Sequence, residues 1–405
     1  MAMMNPNLMS ASFVASLTYE SGGLEYEDFP VTEDPVYILG QSYSALYDRE
    51  ELQNDILSKI WCTYRKNFAS IGGTGPSCDA GWGCMLRCGQ MMLAQALIGR
   101  HLGRDWRWNS KNKEANAQKY YDILRLFGDK KGAYYSIHQI ASMGVSEGKA
   151  VGQWFGPNTV AQVLKKLSVY DEWSSVSIHV ALDNTVIIDD VKMMCKSSPN
   201  TPDDVVMNAI DQNAKTIKDG RHLPNGLPIP HKMADWRPLL LIVPLRLGLS
   251  EMNEVYVDSL KVCLTLKQSV GIIGGKPNHA HWFVGYVGDE LVYLDPHTTQ
   301  LYVDNPADDD SSYHCMYSSR MKITQLDPSI ALGFYCHTEE DFDRLCRELI
   351  QNVVQPNKTP MFEIHQVRPR HWPPFEPYPD QSGTKTEFAY FEERQYDTDD
   401  EYELL

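Results

Sequence analysis

The sequence predicts an α+β protein. Apolar residues at helical spacing dominate its first half, short apolar runs punctuated by turn residues dominate its second, and no segment repeats. With 405 residues, 43% of them hydrophobic and 22% charged, the chain has the composition of an ordinary globular protein of one large or two smaller domains.

Taken in order, residues 1–30 are polar and irregular and read as a flexible arm. Val36–Gly40 is a short strand ending in a turn. Leu52–Phe68 reads as an amphipathic helix through Leu52, Ile56, Leu57, Ile60 and Tyr64. Gly72–Gly83, with Pro76 inside it, is loop, and a further helix runs from Cys84 to an end near Gly99–Gly103. Tyr120–Phe127 and Thr159–Leu167 are helices, the second with Asn158 and Thr159 as its cap and Lys165 and Lys166 in its last turn. Val176–Ala181 alternates as a strand. Residues 196–237, rich in Pro, Asn, Asp and Lys, read as a surface insertion, and Leu239–Leu245 as a fully buried strand. Tyr256–Leu264 is a helix. His281–Val287 and Leu291–Leu294, split by Gly288-Asp289-Glu290, form a hairpin, and Ile330–Val354 holds a strand and a helix starting near Thr338. From Gln366 the prolines and acids mark a disordered tail.

The formal net charge is −16, and Glu392–Glu403 alone carries seven acids against Arg394. Nucleic acid, which requires a basic footprint, is a poor partner for such a chain, and a basic protein surface a better one. No apolar run of about 18 residues is present, so no membrane span is expected. The nine cysteines are scattered without a small-domain framework and Met1–Ser16 has no signal-peptide pattern, which together suit a reducing cytoplasm.

Chemistry concentrates first at Gly81-Trp82-Gly83-Cys84-Met85-Leu86-Arg87-Cys88-Gly89-Gln90. Cys84 follows tight-turn glycines and opens a helix, where unpaired N–H groups and the helix dipole favour a thiolate. Such a cysteine is a candidate nucleophile; the alternative is a small buried apolar residue. A thiol nucleophile requires a base, and the base an orienting group. Two arrangements remain open. His281 could be the base with Asp295 orienting it from the next strand, or Asp295 and His297 could work together where Pro296 ends a strand. Zinc would need closer ligand spacing than Cys78, Cys84, Cys88, His279 and His281 provide, since no C-x-x-C pair occurs. Neither a metal nor another cofactor is expected.

Longer motifs extend the pattern: Trp61-Cys62-Thr63-Tyr64-Arg65-Lys66-Asn67-Phe68, Arg104-Asp105-Trp106-Arg107-Trp108, Tyr135-Ser136-Ile137-His138-Gln139, Gly152-Gln153-Trp154-Phe155-Gly156-Pro157-Asn158-Thr159, Gly274-Gly275-Lys276-Pro277-Asn278 and Leu294-Asp295-Pro296-His297-Thr298-Thr299. From about Glu27 to Phe362 the chain resembles the autophagins, the cysteine peptidases that process GABARAP-type ubiquitin-like modifiers in autophagy, and most of all their short-tailed animal members.

The resemblance implies a papain-like peptidase domain over residues 31–365 with a short-fingers subdomain inserted at roughly 100–240, and a tail over 366–405. It implies Cys84 as nucleophile, His297 as base, Asp295 as its orienter, and Tyr64 as an oxyanion donor beside the Cys84 N–H. Trp154 and Pro277 match residues that cover the groove of the free enzyme, with Gly274 and Gly275 as a hinge. The implied reaction is cleavage after a modifier's C-terminal glycine, priming it for conjugation to phosphatidylethanolamine, and the reverse removal of that lipid. Asp399-Asp400-Glu401-Tyr402-Glu403-Leu404-Leu405 resembles a modifier-interacting motif, with Tyr402 and Leu405 filling two pockets. Leu17–Gly22 departs from that pattern because Gly22 occupies the leucine position. A monomeric cytoplasmic enzyme that meets membranes only through lipidated substrate is the expectation. The alternatives are a general deubiquitinase and an inactive modifier-binding adaptor.

Overall fold

The computed structural model describes residues 16–17, 28–109, 117–197, 236–375 and 377. The chain divides into two units, residues 1–187 with 238–365 and residues 188–237 with 366–405. The first unit begins with β1 (Ser16–Leu17), β2 (Pro35–Ile38), β3 (Gln41–Ser44), α1 (Arg49–Leu57) and β4 (Tyr64–Lys66). Then come α2 (Cys84–His101), α3 (Ala117–Leu126), α4 (Ile137–Met143), α5 (Pro157–Leu167), β5 (Ser177–Val180) and β6 (Thr185–Ile187). The second unit contributes α6 (Ile188–Lys196). The first resumes with β7 (Leu239–Arg246), α7 (Val257–Thr265), β8 (Ser269–Gly274), β9 (His281–Val287), β10 (Glu290–Leu294) and β11 (Thr298–Leu301), and closes with β12 (Ser319–Lys322), β13 (Ser329–Cys336), α8 (Glu339–Leu349) and β14 (Glu363–His365).

The main sheet runs β12-β10-β9-β8-β13-β7-β5, with the β2–β3 hairpin added at β9. It is antiparallel except where β5 lies parallel to β7. Helices α2, α5, α7 and α8 all pack on its strands. That cover explains why β7 and β8 are buried along nearly their whole length instead of on alternate residues. Helix α2 is itself buried at every position from Cys84 to Ile98, so it is a core helix and not an amphipathic one.

A second, small sheet builds the site. Strand β11 pairs parallel with β4, placing Thr299 opposite Tyr64, and antiparallel with β1. Here the structure corrects the sequence reading. The helix expected over Leu52–Phe68 stops at Leu57, and Tyr64 lies on a strand. The run Trp61–Tyr64 is aromatic and β-branched and suits a strand once β11 offers a partner, so pairing distant in sequence overrides a local helical period.

Other boundaries shift for local reasons. Helix α5 begins at Pro157 with Gly156 as its cap, and the expected Asn158–Thr159 cap falls inside the first turn, because proline is preorganised for the first helical position. Thr338 caps α8 by accepting the Asp341 N–H, as its sequence suggests. In the second unit, residues 366–375 are held where a disordered tail was expected from residue 366. Arg368 pairs with Asp190 of α6 at 2.6 Å and lies over the rings of Trp372 and Phe375. Gln366 donates to the Asp189 carboxylate at 2.6 Å. Most of the arm over residues 1–30, most of the insertion over 196–237, and the Tyr402–Leu405 motif lie outside the described residues.

Candidate active site

Cys84 is the first residue of α2, preceded by Gly83 at the cap position. The turn leading to it uses Gly81 at φ +87, a conformation side chains rarely adopt. The Asp79 carbonyl accepts the N–H groups of Trp82 (3.2 Å) and Gly83 (2.8 Å), and the Trp82 indole donates to the Cys78 carbonyl at 3.1 Å. The loop is therefore tied to itself on both sides of the glycine, and Cys84 is delivered at a fixed angle with no exposed surface.

Asp295 and His297 occupy the connection between β10 and β11, where Pro296 cannot donate to a ladder. One carboxylate oxygen, Asp295 Oδ1, accepts both the main-chain N–H of His297 (2.8 Å) and its ring Nδ1 (2.5 Å). The other, Oδ2, is 3.8 Å from His281 Nε2. Two bonds from the far side fix this corner: the Trp61 indole donates to the Asp295 carbonyl at 2.7 Å, and the Tyr64 N–H to the Pro296 carbonyl at 2.9 Å. The Tyr64 ring meets the His297 imidazole edge-on, with centroids 5.5 Å apart.

The electrostatics separate the two histidines. Burial works to raise the Cys84 thiol, but hydrogen bonding and charge from His297, and then the Tyr64 hydroxyl, hold its pKa below the ordinary 9.0. Burial works to lower His297, and Asp295 with Cys84 more than offsets it, lifting the imidazole to about 9. Asp295 stays far below the usual carboxylate range despite burial, because it sits between His281 and His297. The Tyr64 phenol is pushed well up by burial and by the thiol, so it remains a hydroxyl. His297 Nε2 and the Tyr64 hydroxyl are shielded and, among the described residues, have no hydrogen-bond partner besides the Cys84 thiol. Both are available to a reacting group.

A thiol lowered by an adjacent imidazole, whose far nitrogen sits on a carboxylate, is an arrangement equipped for acyl transfer. Residues 49–348 match the Peptidase C54 catalytic domain. The chain belongs to the peptidase C54 family. It is 52% identical over 363 residues to "Cysteine protease ATG4B" of Gallus gallus, covering 88% of this chain and 91% of that one. It is 48% identical over 388 residues to "Cysteine protease ATG4A" of Xenopus laevis (94% and 95% covered), and 48% identical over 394 residues to "Cysteine protease ATG4A" of Homo sapiens (94% and 95%). This C54 member is thus a cysteine peptidase of papain-like fold.

Within the C54 site, the geometry brings Cys84, Tyr64, Asp295 and His297 together. Gly274 ends β8 and Gly275 follows it, and Pro277 stands exposed at the tip of a turn closed by the His279 N–H on the Lys276 carbonyl at 2.9 Å. Asn278 takes φ +65 there, the Pro-then-left-handed order of a type II turn. A side chain on Gly275 would come within 2.1 Å of the His279 carbonyl, which requires glycine at the base of this turn. Trp154 is half-buried, and its indole N–H is shielded without a partner among the described residues. No helix among the described residues is long and apolar enough to cross a membrane.

His281, Asp295 and His297 also offer ligand atoms that all lie within 4.8 Å of one another, the donor set most suited to a cation among the described residues. The His297–Asp295 hydrogen bond and the approach of His281 to the same carboxylate at 3.8 Å already account for the grouping. Sequence reasoning missed Trp61, whose role is visible only once residue 295 lies beside it. It also missed Asp79 and Arg87. Arg87 could have been found, since a charged residue in the first turn of an otherwise apolar helix demands a buried partner.

Proposed function

We propose that Cys84 is the nucleophile of this C54 peptidase, His297 its acid and base, Asp295 the orienting carboxylate, and that Tyr64 and the Cys84 N–H receive the oxyanion. The observation that carries this is the unequal hold of Asp295: 2.5 Å to His297 against 3.8 Å to His281, with the thiol lowered by His297. The thiolate attacks the scissile carbonyl, and the charge moves to an oxygen met by two donors, each contributing roughly 3 kcal/mol. The imidazolium gives its proton to the leaving amine. Water then attacks the thioester as neutral His297 takes a proton from it, the C–S bond breaks to release the carboxylic acid product, and the thiolate and imidazolium are restored.

The substrates we propose are the ubiquitin-like modifiers of autophagy, of GABARAP type, cut after their C-terminal glycine. The family and its relatives named ATG4A and ATG4B support this choice. A precursor peptide bond and a phosphatidylethanolamine amide present the same glycine carbonyl, so one site serves both priming and delipidation. Trp154 and the Gly274–Pro277 turn act in this reading as the cover of a narrow groove that admits only an extended glycine tail. The tail residues Tyr402 and Leu405 act as a second hold on the modifier, and the enzyme works as a cytoplasmic monomer with its arm and tail outside the peptidase domain.

The test is to incubate the protein with a modifier precursor extended beyond its glycine, with a lipidated modifier on vesicles, and with a ubiquitin fusion. Cleavage of the first two, abolished by Cys84→Ala, supports the proposal. Cleavage of ubiquitin alone would move the enzyme to the deubiquitinase reading, and cleavage of nothing to the adaptor.

A further inference from the structure

The two oxyanion donors sit on different elements, Tyr64 on β4 and the Cys84 N–H at the start of α2, joined by a glycine-rich loop. Their spacing must nevertheless be right to a fraction of an ångström for an oxyanion to touch both. We propose that Asp79 is the positioning residue that sets this spacing. The inference rests on the reading of Tyr64 and the Cys84 N–H as the oxyanion donors.

Asp79 holds both sides at once. Toward β4, its Oδ1 accepts the N–H of Arg65, the residue after Tyr64, at 2.6 Å, and its own N–H donates to the Arg65 carbonyl at 3.2 Å. Toward α2, its carbonyl accepts the Gly83 N–H at 2.8 Å, one residue before Cys84. Its Oδ2 lies so close to Gly83 that a Cβ there would come within 2.2 Å.

The carboxylate is itself locked. Arg87, one turn past Cys84 on the same helix, grips it with Nε on Oδ2 at 2.8 Å and Nη2 on Oδ1 at 3.1 Å. The remaining arm of Arg87 reaches Asp129 at 2.8 Å and the Gln90 side-chain oxygen at 3.1 Å, and Gln90 in turn donates to the Tyr135 carbonyl at 2.7 Å. The side chains of Arg87, Asp79 and Asp129 are at most 3% exposed. A buried charge cluster of this kind is a poor source of net stability compared with apolar packing, but it is rigid, directional and intolerant of displacement. Asp79 touches neither the thiol nor the imidazole; it holds the main chain on both sides, and its charge adds to the forces that keep the Tyr64 phenol protonated.

The experiment is a double-mutant cycle on kcat and KM for an extended modifier precursor, with Asp79→Asn, Tyr64→Phe and both together, alongside the pH profile of Cys84 alkylation by iodoacetamide. Asp79→Asn is expected to lower kcat by about tenfold or more through misplaced donors, with KM changed less than about twofold. In the Tyr64→Phe background the same change should cost less than about threefold, because one of the two groups whose spacing it sets is already gone. The alkylation profile should not move, since His297 and Cys84 keep their ion pair. Equal losses in both backgrounds, a rise in KM that matches the fall in kcat, or a shifted alkylation profile would overturn the inference. If Tyr64→Phe alone leaves kcat unchanged, the oxyanion reading fails and takes the inference with it. Should Asp79→Asn melt at working temperature, Gly83→Ala decides the matter. It keeps every ionic partner and drives a methyl group against Oδ2, and it must show the same loss of kcat and the same non-additivity with Tyr64→Phe. An unaltered kcat in Gly83→Ala would also overturn it.

Discussion

Cys84 and Cys88 stand one turn apart on α2, neither with any exposed surface, yet their thiols are driven in opposite directions. Burial raises both. Cys88 has only burial and negative neighbours and goes well above the ordinary 9.0, and Cys62 is likewise pushed to about 12. Cys84 goes down because His297 and Tyr64 reach it from the small β4–β11 sheet. The contrast teaches that neither burial nor a place on a favourable helix lowers a thiol. A partner arriving from elsewhere in the chain does.

The largest effect that bears on this contrast is the removal of the thiol or its base. Cys84→Ala and His297→Ala should each lower kcat by about 10⁴-fold or more on a modifier precursor, while Cys88→Ala stays within about tenfold of the parent. A loss at Cys88 equal to that at Cys84 would break the comparison. Tyr64→Phe comes next, with kcat expected to fall about 100-fold as one oxyanion donor disappears. His281→Ala should cost less than about 100-fold, short of the share of a general base, and a larger loss than that of His297→Ala would return the base to His281.

The smallest change is a matter of pH. Activity should rise as pH climbs through the lowered pKa of Cys84 and fall again near 9, where His297 gives up the proton that the leaving amine requires. The pH profile of kcat/KM reads both limbs. In His297→Ala the thiol should move back toward its ordinary 9.0, so that iodoacetamide at neutral pH alkylates Cys84 more slowly than in the parent.

Much of this site was legible before any coordinates. The glycine turn and helix start at Cys84, and the breaking proline between Asp295 and His297, are local features that local chemistry explains. The tie between His281 and His297 was not legible from residue types alone. Both lie within reach of Asp295, and the 2.5 Å against 3.8 Å separation, with the pairing of His297 and Cys84, tells them apart. Tyr64 was misread as part of a helix because apolar spacing through Leu52, Ile56 and Ile60 continues past the point where the chain turns. The pairing that makes it a strand comes from β11, far along the sequence, and periodicity carries no trace of it. Arg87 and Asp79 belong to the same class, since a buried ion pair is specified by two positions that neither one announces.

The indole of Trp61 meets the carbonyl of Asp295 across 234 residues of chain. Contacts of such separation carry a large loop-closure cost that local structure does not offset. During synthesis Cys84 emerges long before residues 295–299 exist to meet it. Until the corner that carries His297 lies beside β4, the thiol has no imidazole to lower it. The low-pKa thiol is thus a property of the assembled fold, and a chain that has not brought residues 84 and 297 together lacks it.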